Sequence, residues 1–321
     1  GKDGRALFLA AMDALDKYWQ KNLGKGEQLI QSHCPTAVAK LYKSVDDIDA
    51  EENEDLRKRL ESHEKDWLDA VNAKGRFERA NINMGQSAVL ALGQTTEPNN
   101  GRKDTHPVDY KVSTSLLSYA KRGRDQQSRY FAHIALAQIG GEEKRKALME
   151  LYSTGNTALE KPWAALSLGV LAYNEYEADD SRATIDTGIG AMLHTDLTKV
   201  KNPSSLAAIA VALGLVRYSE AADDLRLVMD KYKNKDDLSG YACIGLALMD
   251  DQRSTQQIRD LVAASVRRPD RLKQAAIALG KLGDKQAADL LVELMTEGGT
   301  TNLAKMSALA SGLGFIGDRR D

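Results

Sequence analysis

The sequence predicts an all-α fold: a right-handed α-α superhelix of antiparallel helix pairs stacked in series. Two observations carry that expectation. The first is a short motif that returns along the chain as ALGQTTE (91–97), ALAQIGG (135–141), SLGVLAY (167–173), ALGLVRY (212–218), IGLALMDD (244–251), IALGKLGD (277–284) and LGFIGD (313–318). Its equivalent small residues are Gly93, Ala137, Gly169, Gly214, Ala247, Gly280 and Gly314, at spacings of 44, 32, 45, 33, 33 and 34 residues. The shorter spacings are one period of a two-helix unit, and the two longer ones each carry an insertion. The second is composition. Aromatic residues make up only 6% of the 321 residues, whereas a sandwich or barrel would need many aromatic and β-branched strands.

Taken in order, residues 1 to 23 read as one helix, with Leu7, Ala11, Leu15 and Tyr18 or Trp19 as its stripe. Residues 24–35, with Gly24, Gly26 and Pro35, read as a loop, and a helix follows over 36–44. Segment 46–71 begins acidic and turns mixed, as one helix would under its dipole, and docks through Ile48, Leu56, Leu60, Trp67, Leu68 and Val71. Residues 1–75 are therefore expected to cap a solenoid of about seven units over 76–321. The chain ends in the turn of a unit, in the sequence GFIGDRRD, so the natural protein is expected to continue past it.

The unit around Gly214 shows the pattern. Asn202 and Pro203 suit a helix start, with Asn as the cap and Pro in the first turn. Leu206, Ile209, Leu213 and Val216 make one apolar stripe. A second helix carries Leu225, Val228, Met229 and Tyr232 on one face. Pro162 and Pro269 open the corresponding first helices of two other units. Glycine inside a helix costs about 1 kcal/mol relative to alanine. Its return at Gly169, Gly214, Gly280 and Gly314 therefore predicts tight helix crossings. Residues 95–109 and 174–187 are the two insertions, read as loops. They contain Pro98, Asn99, Asn100, Gly101 and Pro107 in the first, and Tyr176, Asp179 and Asp180 in the second, after Tyr173.

The phrase AAIALGKLGDKQAADLLVELM (275–295) resembles the short HEAT-like repeat of bacterial HEAT-repeat and phycobilisome-lyase-type proteins. The stretch 140–173 is similar to uncharacterised bacterial HEAT-repeat proteins, many of them exported. The resemblance covers residues 76–321 and implies the solenoid architecture, a protein-binding role and a periplasmic or extracellular location. The tetratricopeptide repeat has a similar period, but its glycine lies midway along the first helix, and here the glycine comes just before the turn.

The chain nominates no catalytic, cofactor or metal residue. His33, His63, His106, His133 and His194 stand apart from one another, and Cys34 and Cys243 read as inert thiols. There is no phosphate loop and no nucleophile elbow. The formal net charge is −2, so no nucleic acid partner is expected. Arg267, Arg268 and Arg271, and Lys121, Arg122 and Arg124, read as solvated basic spots, and Asp250 and Asp251 as helix caps. No apolar run reaches the length of a membrane span.

The functional expectation is a non-catalytic scaffold that binds a protein partner through a concave face made by the second helices. That face would carry Lys144, Lys146, Asp224, Arg226, Gln257, Arg259, Asp260, Asp289 and Glu293. Reversing the charge at Arg226 and Arg259 is expected to weaken the partner with little loss of stability. The alternatives are a lyase-type enzyme or enzyme subunit, which needs an apolar pocket with converging polar groups, and a passive structural module of a longer exported protein.

Overall fold

A computed structural model describes residues 2–45, 48, 50–97, 107–155, 159–178, 184–296 and 302–317. Among these residues all regular secondary structure is helical. Two compact units divide between Leu151 and Tyr152.

The first unit opens with α1 (Lys2–Trp19), α2 (Glu27–Gln31), α3 (Cys34–Tyr42) and α4 (Glu54–Val71), followed by α5 (Ile82–Thr95), α6 (Pro107–Arg122), α7 (Gln126–Ile139) and most of α8 (Glu142–Thr154). Segment 24–35 is thus not a plain loop. It holds α2 and the start of α3, because Gln31 turns inward and donates from Nε2 to the carbonyls of Tyr18, Trp19 and Lys21. α4 starts eight residues later than its acidic run, after a short 3-10 turn over Glu51–Asn53. Leu56, Leu60, Trp67, Leu68 and Val71 are buried, as their spacing predicts. α3 and α4 both pack on α5, so the stacking begins before the repeat motif does.

The second unit contains the end of α8, then α9 (Glu160–Glu177), α10 (Thr187–Lys199), α11 (Pro203–Val216), α12 (Ala222–Lys231), α13 (Asp236–Leu248), α14 (Thr255–Ala263), α15 (Pro269–Lys281), α16 (Gln286–Thr296) and α17 (Leu303–Gly317). Odd-numbered helices from α9 onward are the first helices of successive repeats. They pack in series, α9 on α11, α11 on α13, α13 on α15 and α15 on α17. Among the second helices only α10 and α12 touch appreciably. The first-helix row is therefore the more closely spaced layer of this unit.

Small residues permit that spacing. A Cβ on Gly169 would lie 2.8 Å from Ala212 Cα, and one on Gly214 would lie 2.8 Å from Gly245 Cα. On Gly280 it would meet Phe315 Cβ at 2.7 Å, and in the first unit Gly93 would place one 2.4 Å from Ala135 Cα. Gly314 does not follow the expectation: nothing lies within 4 Å of its would-be Cβ, and Gly312 faces Ala276 instead. In α13 the contact falls on Gly245 rather than on the motif position Ala247.

The turn after each first helix also repeats. Gly140, Arg217, Asp250 and Gly283 all have positive φ, each three residues after its motif residue. The next amide, of Tyr218, Asp251 or Asp284, donates to the carbonyl five residues back, which closes the helix end in a Schellman arrangement. Where an insertion follows, at Gly93 and Gly169, this turn is missing. α9 instead runs on to Glu177, so Asn174 and Tyr176 are helical rather than loop, and Tyr176 stacks under the Arg217 guanidinium at 4.3 Å. Residues 98–106 and 179–183, with Pro98, Asn99, Asn100, Gly101, His106, Asp179 and Asp180, and residues 318–321 lie outside the described residues.

This geometry predicts opposite outcomes for the same substitution at two glycines. Gly214→Ala gains helix propensity but forces α11 and α13 apart, and is expected to destabilise by about 1–3 kcal/mol. Gly314→Ala meets open space and is expected to be neutral or to stabilise by up to about 1 kcal/mol. Urea unfolding of both variants checks this; equal effects would contradict the close-approach account.

Candidate interaction surface

Polar links join successive repeats of the second unit. Arg226 on α12 binds the carboxylates of Asp223 and Asp251, the latter in the turn after α13. One period later, Arg259 on α14 grips both oxygens of Asp284, in the turn after α15. The Asp251 and Asp284 side chains are only 7% and 4% exposed, so each carboxylate needs a cation for charge compensation: Arg226 and, at 3.4 Å, Arg253 for Asp251, and Arg259 for Asp284. In the preceding repeat the same turn position is Tyr218, which His194 meets edge-on, while His194 Nε2 bonds Asp224 at 2.7 Å. Asp251 is therefore a clamp between units rather than the helix cap its position suggested. Arg271 is likewise no solvated basic spot. It is 4% exposed, donates to Ser265 Oγ and to the carbonyls of Lys233 and Ala264, and pairs with Asp236 at 3.3 Å.

These links change the reading of the expected face. Lys144 is fully buried, with Glu143 Oε2 at 3.5 Å from its Nζ, and burial lowers its pKa; it cannot present a charge to a partner. Arg226 and Arg259 are committed to their clamps, so reversing Arg259 would leave buried Asp284 without its cation and reversing Arg226 would leave Asp251 with Arg253 alone. Asp224 holds His194, and Gln257 reaches the Arg226 carbonyl at 3.4 Å. Lys146, Asp260, Asp289 and Glu293 remain exposed on α8, α14 and α16. Lys146 belongs to the first unit and the other three to the second.

The first-helix row has a different character. α11 is apolar nearly all the way round and ten of its fourteen residues are buried, with Val211 and Leu215 the aliphatic side chains left partly exposed. Where the three helices meet, a groove of about 420 Å³ opens. Leu166, Ala207, Ala208, Val211, Leu238 and Tyr241 form its apolar wall. Tyr241 is 40% exposed, and Leu166 and Val211 are half-buried. Asp236 and Asp237 stand at one end. Ala207, Ala208 and Leu238 are themselves buried, so the apolar surface left open in the groove is that of Leu166, Val211 and Tyr241.

Other titratable groups serve packing. Cys34 and Cys243 are buried, and burial pushes their thiols up to about 11 and about 12, which keeps both protonated and unreactive. His63 bridges three helices, with Nδ1 at 3.0 Å from the Tyr42 hydroxyl and Nε2 at 2.9 Å from Asp16. Burial alone would raise Asp16, but bonds to His63 and Arg59 hold it below its usual value. Glu64 on α4 is fully buried and accepts a hydrogen bond from Thr95 Oγ1 at 3.0 Å. Burial first, and the Asp109 carboxylate second, push it up to about 8. Among the described residues no group of three or more His, Cys, Asp or Glu is gathered for a metal ion, and no helix is long and apolar enough to cross a membrane.

Two measurements follow. Arg259→Glu leaves buried Asp284 without its cation, with only the Gln286 amide still donating to it, and is expected to cost about 2 kcal/mol or more, with Lys146→Glu near neutral, both read by urea unfolding. A near-neutral Arg259→Glu would remove the clamp from the account. The folded chain holds the Glu64 proton more tightly than the unfolded chain does. Its contribution to stability is therefore full below about pH 4.5 and is lost as pH rises towards about 8. Glu64→Gln should gain melting temperature relative to the parent chain across that window and level off above it, whereas a pH-independent difference would contradict the burial assignment.

A family profile described as the PBS lyase HEAT-like repeat matches residues 272–297, which cover α15 from Leu272 on, the clamp turn at Asp284 and α16. No curated protein matches the chain. With the serial helix stacking, the match shows a HEAT-like repeat protein of α-solenoid architecture.

Proposed function

We propose that this HEAT-like repeat chain is a non-catalytic scaffold that holds a protein partner, and that the partner sits on the first-helix side of the second unit. The observation that carries the reading is the apolar groove across α9, α11 and α13. A solenoid of this kind offers partners an extended row of helices, and recognition there needs apolar anchors set in a polar rim. The groove supplies the anchoring wall in Leu166, Val211 and Tyr241, and Lys235, Asp236 and Asp237 supply the rim. The occupant that fits is an amphipathic helix of the partner, laid across the row with its apolar side down. The second-helix face supports the reading less well, because its two best-placed arginines hold the repeats together.

The test uses the full chain with a photo-crosslinking phenylalanine analogue in place of Tyr241. Exposure to extract of the source cells should yield one dominant crosslinked protein, and Val211→Glu should abolish that product while the circular dichroism spectrum stays unchanged. A crosslink that survives Val211→Glu, or none at all, would contradict the placement.

A further inference from the structure

We propose that a second site, in the first unit, binds an extended acidic peptide segment. The site is a cleft of about 740 Å³ bounded by the end of α4, the start of α5, the outer face of α6 and the start of α7. It lies in the other unit from the groove above and does not depend on the reading given there.

The floor of the cleft is apolar. Val71, Phe77 and Met84 are buried beneath it, and Ile82 stands at its edge, 56% exposed. One wall is rich in hydroxyls. Ser115, Ser118 and Tyr119 lie on successive turns of α6, with Thr114 beside them. Such a wall can bond the backbone of an extended chain, whose amides and carbonyls lack partners of their own.

Charge decides the class of ligand. Lys74, Arg122 and Arg124 line the cleft. Among the described residues none of the three has a carboxylate within ion-pair distance, and Arg122 bonds only Ser118 Oγ, at 3.3 Å. Arginines elsewhere in the chain commonly do have one: Arg57 pairs with Asp109, Arg59 with Asp16, Arg76 with Asp66 and Arg217 with Glu177. Two acids border the cleft, Glu78 and Asp125. The Asp125 carboxylate is already used, because it accepts from Ser128 N at 2.7 Å, Ser128 Oγ at 2.6 Å and Gln86 Nε2 at 3.1 Å. Those bonds hold its pKa down against the effect of burial. All three donors are neutral, so Asp125 keeps its negative charge; three cations stand against two carboxylates, Glu78 and Asp125, an excess of one positive charge in a chain whose formal net charge is −2. A segment that alternates acidic and apolar side chains matches both features. Its apolar side chains reach the Phe77 floor and its carboxylates meet Lys74, Arg122 and Arg124.

The probe is a fluorescein-labelled peptide of about ten residues built of Glu, Leu and Ser, titrated with the full chain at low salt and followed by anisotropy. Saturable binding is expected, weakened about tenfold or more by Arg122→Glu with Arg124→Glu, and weakened by added salt. Ser115→Trp plugs the cleft without changing its charge and should abolish binding as well. It keeps the proposal testable if the double variant fails to fold. Val211→Glu should leave binding unchanged, which separates this site from the groove of the second unit. Absence of saturable binding, equal binding of a peptide with Lys in place of Glu, or unchanged binding by both cleft variants would overturn the proposal.

Discussion

The close approach of neighbouring first helices is the constraint on which the rest of the second unit depends. Gly169 against Ala212 and Gly214 against Gly245 leave no room for another carbon atom. Glycine is a poor helix former, so its presence inside α9, α11 and α13 has to be offset by what the approach allows. What it allows is a dense first-helix layer, in which Leu168, Ile209, Leu213 and Leu246 are sealed from water. The second helices are spread more widely, and they reach the neighbouring repeat through long side chains. Arg226 and Arg259 are those side chains, and Asp251 and Asp284 are the turns they reach.

Turn geometry and clamp belong together. The left-handed residue at Arg217, Asp250 or Gly283 reverses the chain, and the residue after it points back along the stack. When that residue is Asp and the preceding second helix offers Arg, a link between units forms. When it is Tyr218, the link is an aromatic contact with His194 supported by Asp224. In α9, where an insertion follows, the helix continues instead of turning at the motif.

Much of this was legible in the residues. Asn202 caps α11 through Ser205 N at 3.1 Å, and Pro203 opens it. The stripe Leu206, Ile209, Leu213 and Val216 is buried throughout. Small residues at one phase of the motif predict the crossings, and three of the four glycines named for that role perform it. Gly314 does not, because a count of two residues decides which glycine faces the neighbour, and the motif alone leaves that register open. The clamps were missed because each partner reads locally as something ordinary, a surface arginine or a helix-capping aspartate. The signal was present in the matching 33-residue steps from Arg226 to Arg259 and from Asp251 to Asp284. Burial of Lys144 and Arg271 follows from tertiary packing, which no local pattern around either residue encodes. α11 reads as apolar on every side, and which of its groove residues stay open, Val211 and not Ala207 or Ala208, is set by packing that the sequence of the helix does not encode.

Hydrogen exchange of the full chain at neutral pH, read by mass spectrometry, tests the central claim that the first-helix row carries the stack. Amides in the middle of α11, α13 and α15 should open only with global unfolding, while those of α12 and α14 exchange earlier through local opening. Equal or greater protection of α12 and α14 would show that the second helices and their clamps, and not the glycine crossings, hold the repeats together.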